Sequence, residues 1–181
     1  MAWSVPLTAI ASTALTAAQW NASVRDNLLE TAAAKATTAG SIFVGTGANA
    51  LAERIPARQT NATAQTTASV ATYGDLATVG PQVTVTTGAQ AIVWFGAAIG
   101  NATAGGGGIM GFGVTGASTI VPTDDRAIRI MSGAAGETNR IVNMHMQIGL
   151  TPGSNTFTAK YTTPTGGTCT FQQREIGVIP L

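Results

Sequence analysis

The chain has 181 residues, of which 45% are hydrophobic and only 9% charged, with a formal net charge of +1. An average soluble domain is about 25% charged, so a surface this poor in charge is expected to be covered largely by other subunits rather than kept soluble by mixed charge. The nine basic and eight acidic residues are spread along the chain and leave no electrostatic footprint for nucleic acid or an anionic membrane.

No apolar run approaches the roughly 18 residues that a bilayer span requires. The single cysteine, Cys169, cannot form an intrachain disulfide. Met1-Ala2-Trp3-Ser4-Val5-Pro6 lacks the basic start and long apolar run of a signal peptide, so the expected place of assembly is a cytosol.

Residues 1 to about 15 carry Trp3, Val5, Leu7 and Ile10 without a period, and Pro6 opposes a helix. This apolar arm is expected to lie against another surface. Thr16-Ala17-Ala18-Gln19 then reads as a capping box. Trp20, Val24 and Leu28 follow at four-residue spacing, so they share one helical face, which Leu29 widens. The Ala-rich stretch to Ala36 extends the prediction to one amphipathic helix of about 15 to 20 residues, stopping by Gly40. Between 40 and 58, Ile42-Phe43-Val44 among glycines predicts a short strand, a turn and an extended connector. Residues 59–69 are almost all Gln, Thr, Asn, Ala and Ser and read as a linker or exposed loop.

From about Val70 the pattern is β. Predicted strands are 82–86, 91–99, 108–114, 127–131, 139–150, 156–162, 168–173 and 175–181. Val83 and Val85 oppose Thr84 and Thr86; Phe157, Ala159 and Tyr161 oppose Thr156, Thr158 and Lys160; Cys169 and Phe171 oppose Thr168 and Thr170. One-face burial of this kind marks antiparallel sheets. Turn chemistry separates the runs at Thr87-Gly88, Ser132-Gly133, Pro152-Gly153-Ser154-Asn155 and Pro164-Thr165-Gly166-Gly167. The predicted fold is mainly β: an antiparallel sandwich or jelly roll preceded by an extended arm and one amphipathic helix. The predicted division is 1–58 for attachment, 59–69 as linker and 70–181 as sandwich domain.

Groups able to carry chemistry are sparse. His145 lies in the apparent strand Val142-Asn-Met-His-Met-Gln-Ile148 with no second histidine or acidic neighbour, so neither a zinc site nor a general base is supported. A partly buried core or interface histidine is expected, with a pH-reporting position near its own copies as a minor alternative. Cys169 alternates with threonine and reads as a small buried apolar residue. Asp124-Asp125 beside Arg126 reads as a locally paired turn and falls far short of the six to eight oxygens of a Ca²⁺ site. Gly105–Gly108 lacks the Lys-Ser/Thr of a phosphate loop and reads as a loop tip or a tightly packed place. Asn21, Asn61 and Asn101 sit in chance glycosylation sequons. Tyr73, Trp94, Phe95 and Phe112 form either a sugar platform or, as favoured here, ordinary packing. No metal, cofactor or catalytic residue is expected.

Two stretches resemble segments of phage proteins. Leu15-Thr-Ala-Ala-Gln-Trp-Asn-Ala-Ser-Val-Arg-Asp-Asn-Leu-Leu29 resembles an N-terminal segment of structural proteins from actinobacterial tailed phages, and Ser41-Ile-Phe-Val-Gly-Thr-Gly-Ala-Asn-Ala-Leu-Ala-Glu-Arg-Ile-Pro56 resembles the Gly-Thr-Gly connector of phage fibre and tail proteins. The runs 149–161, 166–174 and 176–181 are similar to the closing strands of trimeric phage jelly-roll domains. The resemblance implies a virion protein, assembled in the host cytoplasm, that forms a homotrimer. Its N-terminal part would attach and its β domain face outward. One connector and no repeat favour a compact decoration of the head over a long fibre. The expected function is therefore a non-enzymatic capsid decoration protein that meets the major capsid protein through Trp3, Val5, Leu7, Ile10, Trp20, Val24 and Leu28. The rival is a minor tail protein, touching other tail proteins and recognising a host-surface glycan.

Overall fold

The computed structural model describes residues 7–8, 12–164 and 167–181. The chain divides into two compact units, Met1–Ile55 and Pro56–Leu181.

In the first unit the capping box forms as expected. The Thr16 hydroxyl accepts from the Gln19 amide at 3.2 Å, and the Gln19 side chain accepts from the Thr16 amide at 3.0 Å. The helix it starts is shorter than predicted. α1 (Ala17–Trp20) runs through a π-helical turn (Asn21–Arg25), where the Asp26 amide donates five residues back to Asn21, into α2 (Asp26–Leu28). There it stops, because Thr31 competes for the backbone: its hydroxyl donates to the Leu28 carbonyl at 2.8 Å and accepts from the Ala34 amide at 3.3 Å. Thr31 thus caps a separate single turn, α3 (Ala32–Lys35), instead of continuing the helix. Beyond it, β1 (Ile42–Gly47) and β2 (Ala50–Arg54) form an antiparallel hairpin, with Asn49 at a φ of 55° in the turn. The expected extended connector is therefore a paired strand. The Glu53 carboxylate on β2 accepts from the Thr37 and Thr38 amides at 2.9 Å and from the Thr37 hydroxyl, and so fixes the segment between α3 and β1. The bonds from the Thr37 and Ser41 hydroxyls and the Thr38 amide hold its carboxyl down to about 2.

The second unit is a sandwich of two antiparallel sheets. Its strands are β3 (Ala57–Asn61), β4 (Gln65–Thr67), β5 (Gln82–Thr87), β6 (Gln90–Asn101), β7 (Gly107–Gly116), β8 (Ala127–Met131), β9 (Thr138–Ile148), β10 (Gly153–Thr162) and β11 (Cys169–Pro180). One sheet has the order β5-β10-β7-β8; the other has β3-β11-β6-β9, with β4 also on β11. Successive strands mostly change sheets, which is the jelly-roll winding. The alternation read from sequence fills the interior: Val83, Val85, Phe157, Ala159, Tyr161, Cys169 and Phe171 are buried, joined by Val93, Phe95, Met110 and Phe112. Phe95 meets Phe112 edge-on at 5.3 Å between centroids, and Tyr161 meets Phe171 at 4.9 Å. Gly108 is needed for this packing, since a Cβ there would strike the Cys169 sulfur and the Ile99 side chain.

Two expectations change in this unit. The polar stretch 59–69 is no linker. β3 and β4 lie within 57–67 and hydrogen-bond along β11, so the unit begins at Pro56 rather than near Val70. Two short edge strands need only a backbone partner, and threonine favours the pleated conformation, so their apolar content says little. The predicted strands 168–173 and 175–181 are one strand, β11. Its register on β6 slips between Gln172 and Glu175, with Gln173 at a φ of 50°. This bulge adds one residue and reverses the side-chain phase, so that Phe171 before it and Ile176 and Val178 after it all point inward.

The bulge predicts opposite outcomes for two changes at one residue. Gln173→Gly should fold with a melting temperature equal to or a few degrees above the parent's, because an L-residue in the left-handed region costs roughly 1 kcal/mol. Gln173→Val should lower the melting temperature followed by circular dichroism by several degrees, because a β-branched residue resists the left-handed backbone that the bulge requires.

Candidate functional site

The predicted attachment residues divide into two groups. Trp3, Val5 and Ile10 lie outside the described residues. Leu7, Trp20, Val24 and Leu28 lie within them. The Leu7 amide donates to the Ser23 hydroxyl at 3.1 Å, which brings the lead-in to the helix. On the helix, Val24 is half-buried, while Trp20 and Leu28 remain 55% and 60% exposed. Leu15 and Leu29, beside them in sequence, are exposed as well. The first unit therefore displays the apolar stripe that the spacing predicts and leaves most of it uncovered.

A second apolar display, missed by the sequence reading, lies on the sandwich. Register pairs Asn143, His145 and Gln147 of β9 with Phe95, Val93 and Ala91 of β6, all three of which are fully buried. The polar row of β9 thus faces the interior side. The alternate row, Val142, Met144, Met146 and Ile148, faces outward and is 48% to 65% exposed. The signal was present in sequence as strict alternation over 142–148, but alternation does not say which row is the core.

The charged groups of the same sheet gather at Glu175. One carboxylate oxygen takes the Arg58 guanidinium at 2.6 Å and the other takes Arg140 at 2.7 Å. The Glu175 side chain is 9% exposed, whereas the two arginines are about half exposed. Together with Thr60, Asn61 and Gln173 they line an open groove of about 370 Å³. Arg58, Arg140 and Glu175 are distant in sequence, and only the sheet order β3-β11-β6-β9 unites them.

The remaining candidates resolve individually. Phe95 and Phe112 are core residues, Trp94 points to the opposite face from Phe95, and the Tyr73 hydroxyl donates to Asp124 at 2.7 Å. The four aromatics share no surface. The His145 ring lies tilted against Phe112, 5.9 Å between centroids, on the interior side of β9, which does not suit a position beside its own copies across an axis. Burial, and then the Arg126 charge, push its pKa down. Arg126 does not pair with its acidic neighbours; it donates to the Val121 carbonyl at 2.6 Å. Cys169 is fully buried, and burial pushes its thiol up to about 12. Asn101, from one of the sequons, is buried and donates to the Gly107 carbonyl at 3.0 Å. Among the described residues no three His, Cys, Asp or Glu side chains gather, and no helix is long and apolar enough to cross a membrane.

No family model and no curated protein matches the chain. Among solved structures, it is similar to the Eiger TNF from S. frugiperda, at 12% identity and a TM-score of 0.48 over 71% of this chain and 92% of that one. It is also similar to a chain of the infectious bursal disease virus Gt strain, at 11% identity and a TM-score of 0.41 over 75% of this chain and 35% of that one.

The His145 environment sets a pH dependence. A folded-state pKa below the ordinary value near 6.5 means that the unfolded chain binds the proton more tightly. The contribution is therefore complete above the unfolded pKa and is lost as pH falls below it. Glu53 and Glu137, held below the usual carboxylate range, act only at lower pH. Urea unfolding between pH 7.5 and 5.5 should show stability falling with acidification in the parent, and a flatter profile in His145→Gln. Identical profiles would remove His145 as the cause.

Proposed function

We propose that this chain is a non-enzymatic structural protein of a tailed-phage virion, a homotrimeric capsid decoration protein anchored by its N-terminal region. The observation that carries this reading is the separate first unit with its uncovered stripe. Trp20 and Leu28 lie on the helix that the Thr16 cap starts, and the described residues of the unit offer little interior in which to bury them. Large apolar side chains left more than half exposed are costly in an isolated protein and mark a surface that meets a partner. On a capsid lattice, many such modest contacts add through multivalency, without any one being tight.

The remaining features support the same reading. The low charge suits a particle component packed among neighbours, and the charged groups present serve mainly internal pairs. The resemblance of residues 15–29 and 41–56 to phage structural segments supplies the virion assignment. The rival reading, a minor tail protein that recognises a glycan, loses the aromatic platform expected for it, because Tyr73, Trp94, Phe95 and Phe112 fall in different places.

Deleting residues 1–30 tests the anchor. The truncated protein should keep the circular dichroism and melting of its sandwich, yet fail to bind undecorated heads that the full chain coats. Full-occupancy binding by the truncated form would sink the assignment. Copy number separates head from tail: decoration implies hundreds of copies per particle, and a tail position roughly three to eighteen, from closed symmetry.

A further inference from the structure

We propose that the outer face of the β3-β11-β6-β9 sheet, centred on Met144 and Trp94, is the surface through which copies of this chain associate. The proposal deepens the homotrimer reading by locating its contact, and it rests on that reading.

The argument starts from the polarity of β9. A strand in a sheet with one solvated face normally turns its apolar row inward and its polar row out. β9 does the reverse: Asn143, His145 and Gln147 take the interior side, and the Val142-to-Ile148 row looks out. Slipping the strand by one residue would restore the usual polarity. The observed register instead keeps eleven paired positions with β6, so the apolar row is held outward by the sheet.

The pairings extend this row across the face. Met144 lies beside Trp94, which lies beside Gly177; Met146 lies beside Ile92, which lies beside Ile179. Gly177 lets the indole lie flat, because any Cβ there would collide with the Trp94 ring. The result is a low apolar floor without a charge. At its margin the next residues in register are Arg58, Glu175 and Arg140, bound to one another and half open to water. An apolar centre with a polar, arginine-bearing rim is the anatomy of a protein interface.

Size and charge select the occupant. The four outward residues of β9, 48% to 65% exposed, present roughly 400 Å², the size of the largest apolar patch on a typical monomer, which is often a functional surface. That is about half of the roughly 800 Å² per partner that a stable association buries, with Trp94, Ile92, Ile179 and the rim available for the rest. Uncharged floors can gather around a three-fold axis without repulsion, whereas a foreign partner could be selected only through the rim. The anchor to a foreign surface is already accounted for by the first unit. A second copy of this chain is therefore the occupant.

The test is the native mass of the full chain by sedimentation and light scattering, for the parent, Met144→Asp, Met144→Gln and a control, Thr84→Asp, on an exposed position of β5. The parent and control should be trimers. Met144→Asp should be a monomer with an unchanged circular dichroism spectrum. The milder Met144→Gln should weaken association by roughly tenfold or more, which keeps the test decisive if the aspartate disturbs folding. A trimer that survives both Met144 changes would overturn the surface and leave the homotrimer reading standing. A parent that stays monomeric at about 100 µM, where assembly should be favoured by mass action, would overturn both. A parent dimer dissociated by Met144→Asp would keep the surface and overturn the three-fold assembly.

Discussion

The sandwich depends on how β11 reconciles its sequence with its place. This strand is paired on both sides, to β6 along one edge and to β3 and β4 along the other. Its inward residues before Gln172 are Cys169 and Phe171, and after Glu175 they are Ile176 and Val178, which are out of phase by one residue. The extra residue at Gln173 absorbs the difference. It also turns Arg174 into the interior, where the whole side chain is buried. A buried cation is costly unless its charge is met from within; both terminal nitrogens of Arg174 are engaged, while its Nε has no hydrogen-bond partner. Arg174 donates to the Gly80 carbonyl at 3.1 Å and the Thr63 carbonyl at 3.2 Å, and its guanidinium stands 5.6 Å from the centre of the Tyr161 ring. The Tyr161 hydroxyl donates to the same Gly80 carbonyl at 2.9 Å. Hydrogen bonds to a charged group contribute about 1.5 to 3 kcal/mol each, and a desolvated cation over an aromatic face about 2 kcal/mol. One bulge thus ties the connection after β3 and the lead-in to β5 to the centre of the sheet, and sends Glu175 outward to gather Arg58 and Arg140.

How legible this was depended on what each feature needs from its residues. Strands with one buried and one wet face were readable, because the pleat writes itself as alternation; Val83/Val85 and Phe157/Ala159/Tyr161 are in the core as their spacing requires. The capping box was readable because it is local. Features that depend on a partner elsewhere were not. β3 and β4 are polar strands whose only requirement is the β11 backbone, and composition alone made them a linker. The helix was overextended because alanine propensity outweighed the local competition from Thr31. The bulge was read as a break between two strands, since a phase change and a turn look alike in sequence. The arginine–glutamate group joins Glu175 to Arg140, 35 positions away, and to Arg58, 117 positions away, and nothing local marks it.

Charge placement explains why so little charge suffices. Arg58, Arg140 and Glu175 bind one another, Lys160 holds Asp75 at 2.7 Å, Lys35 holds Glu30 at 2.9 Å, and Arg174 is buried. These groups fix strands and turns in place. They do little to solvate the surface, because each spends its charge on a neighbour. Beyond these groups Asp124, Asp125 and Arg129 are exposed, and much of the remaining described surface is threonine, alanine, glycine and the two apolar displays. Composition suggests a covered surface, and the exposed apolar residues concentrate on the helix and on the outer row of β9.

The two displays differ in what supports them, and that difference argues for different duties. The helix stripe sits on a small unit whose described residues include few buried ones. The β9 row sits on a sheet of paired strands backed by a packed aromatic core, where Met144, Trp94 and Gly177 are set by register and cannot shift independently. A rigid, uncharged, glycine-flattened face suits a repeated contact between identical copies, because complementarity solved once serves every interface. A stripe on a separate unit suits a partner whose surface is not the chain's own. Self-association through the sheet would also bring several stripes together in one assembly, and multivalency would then add their individually modest contacts.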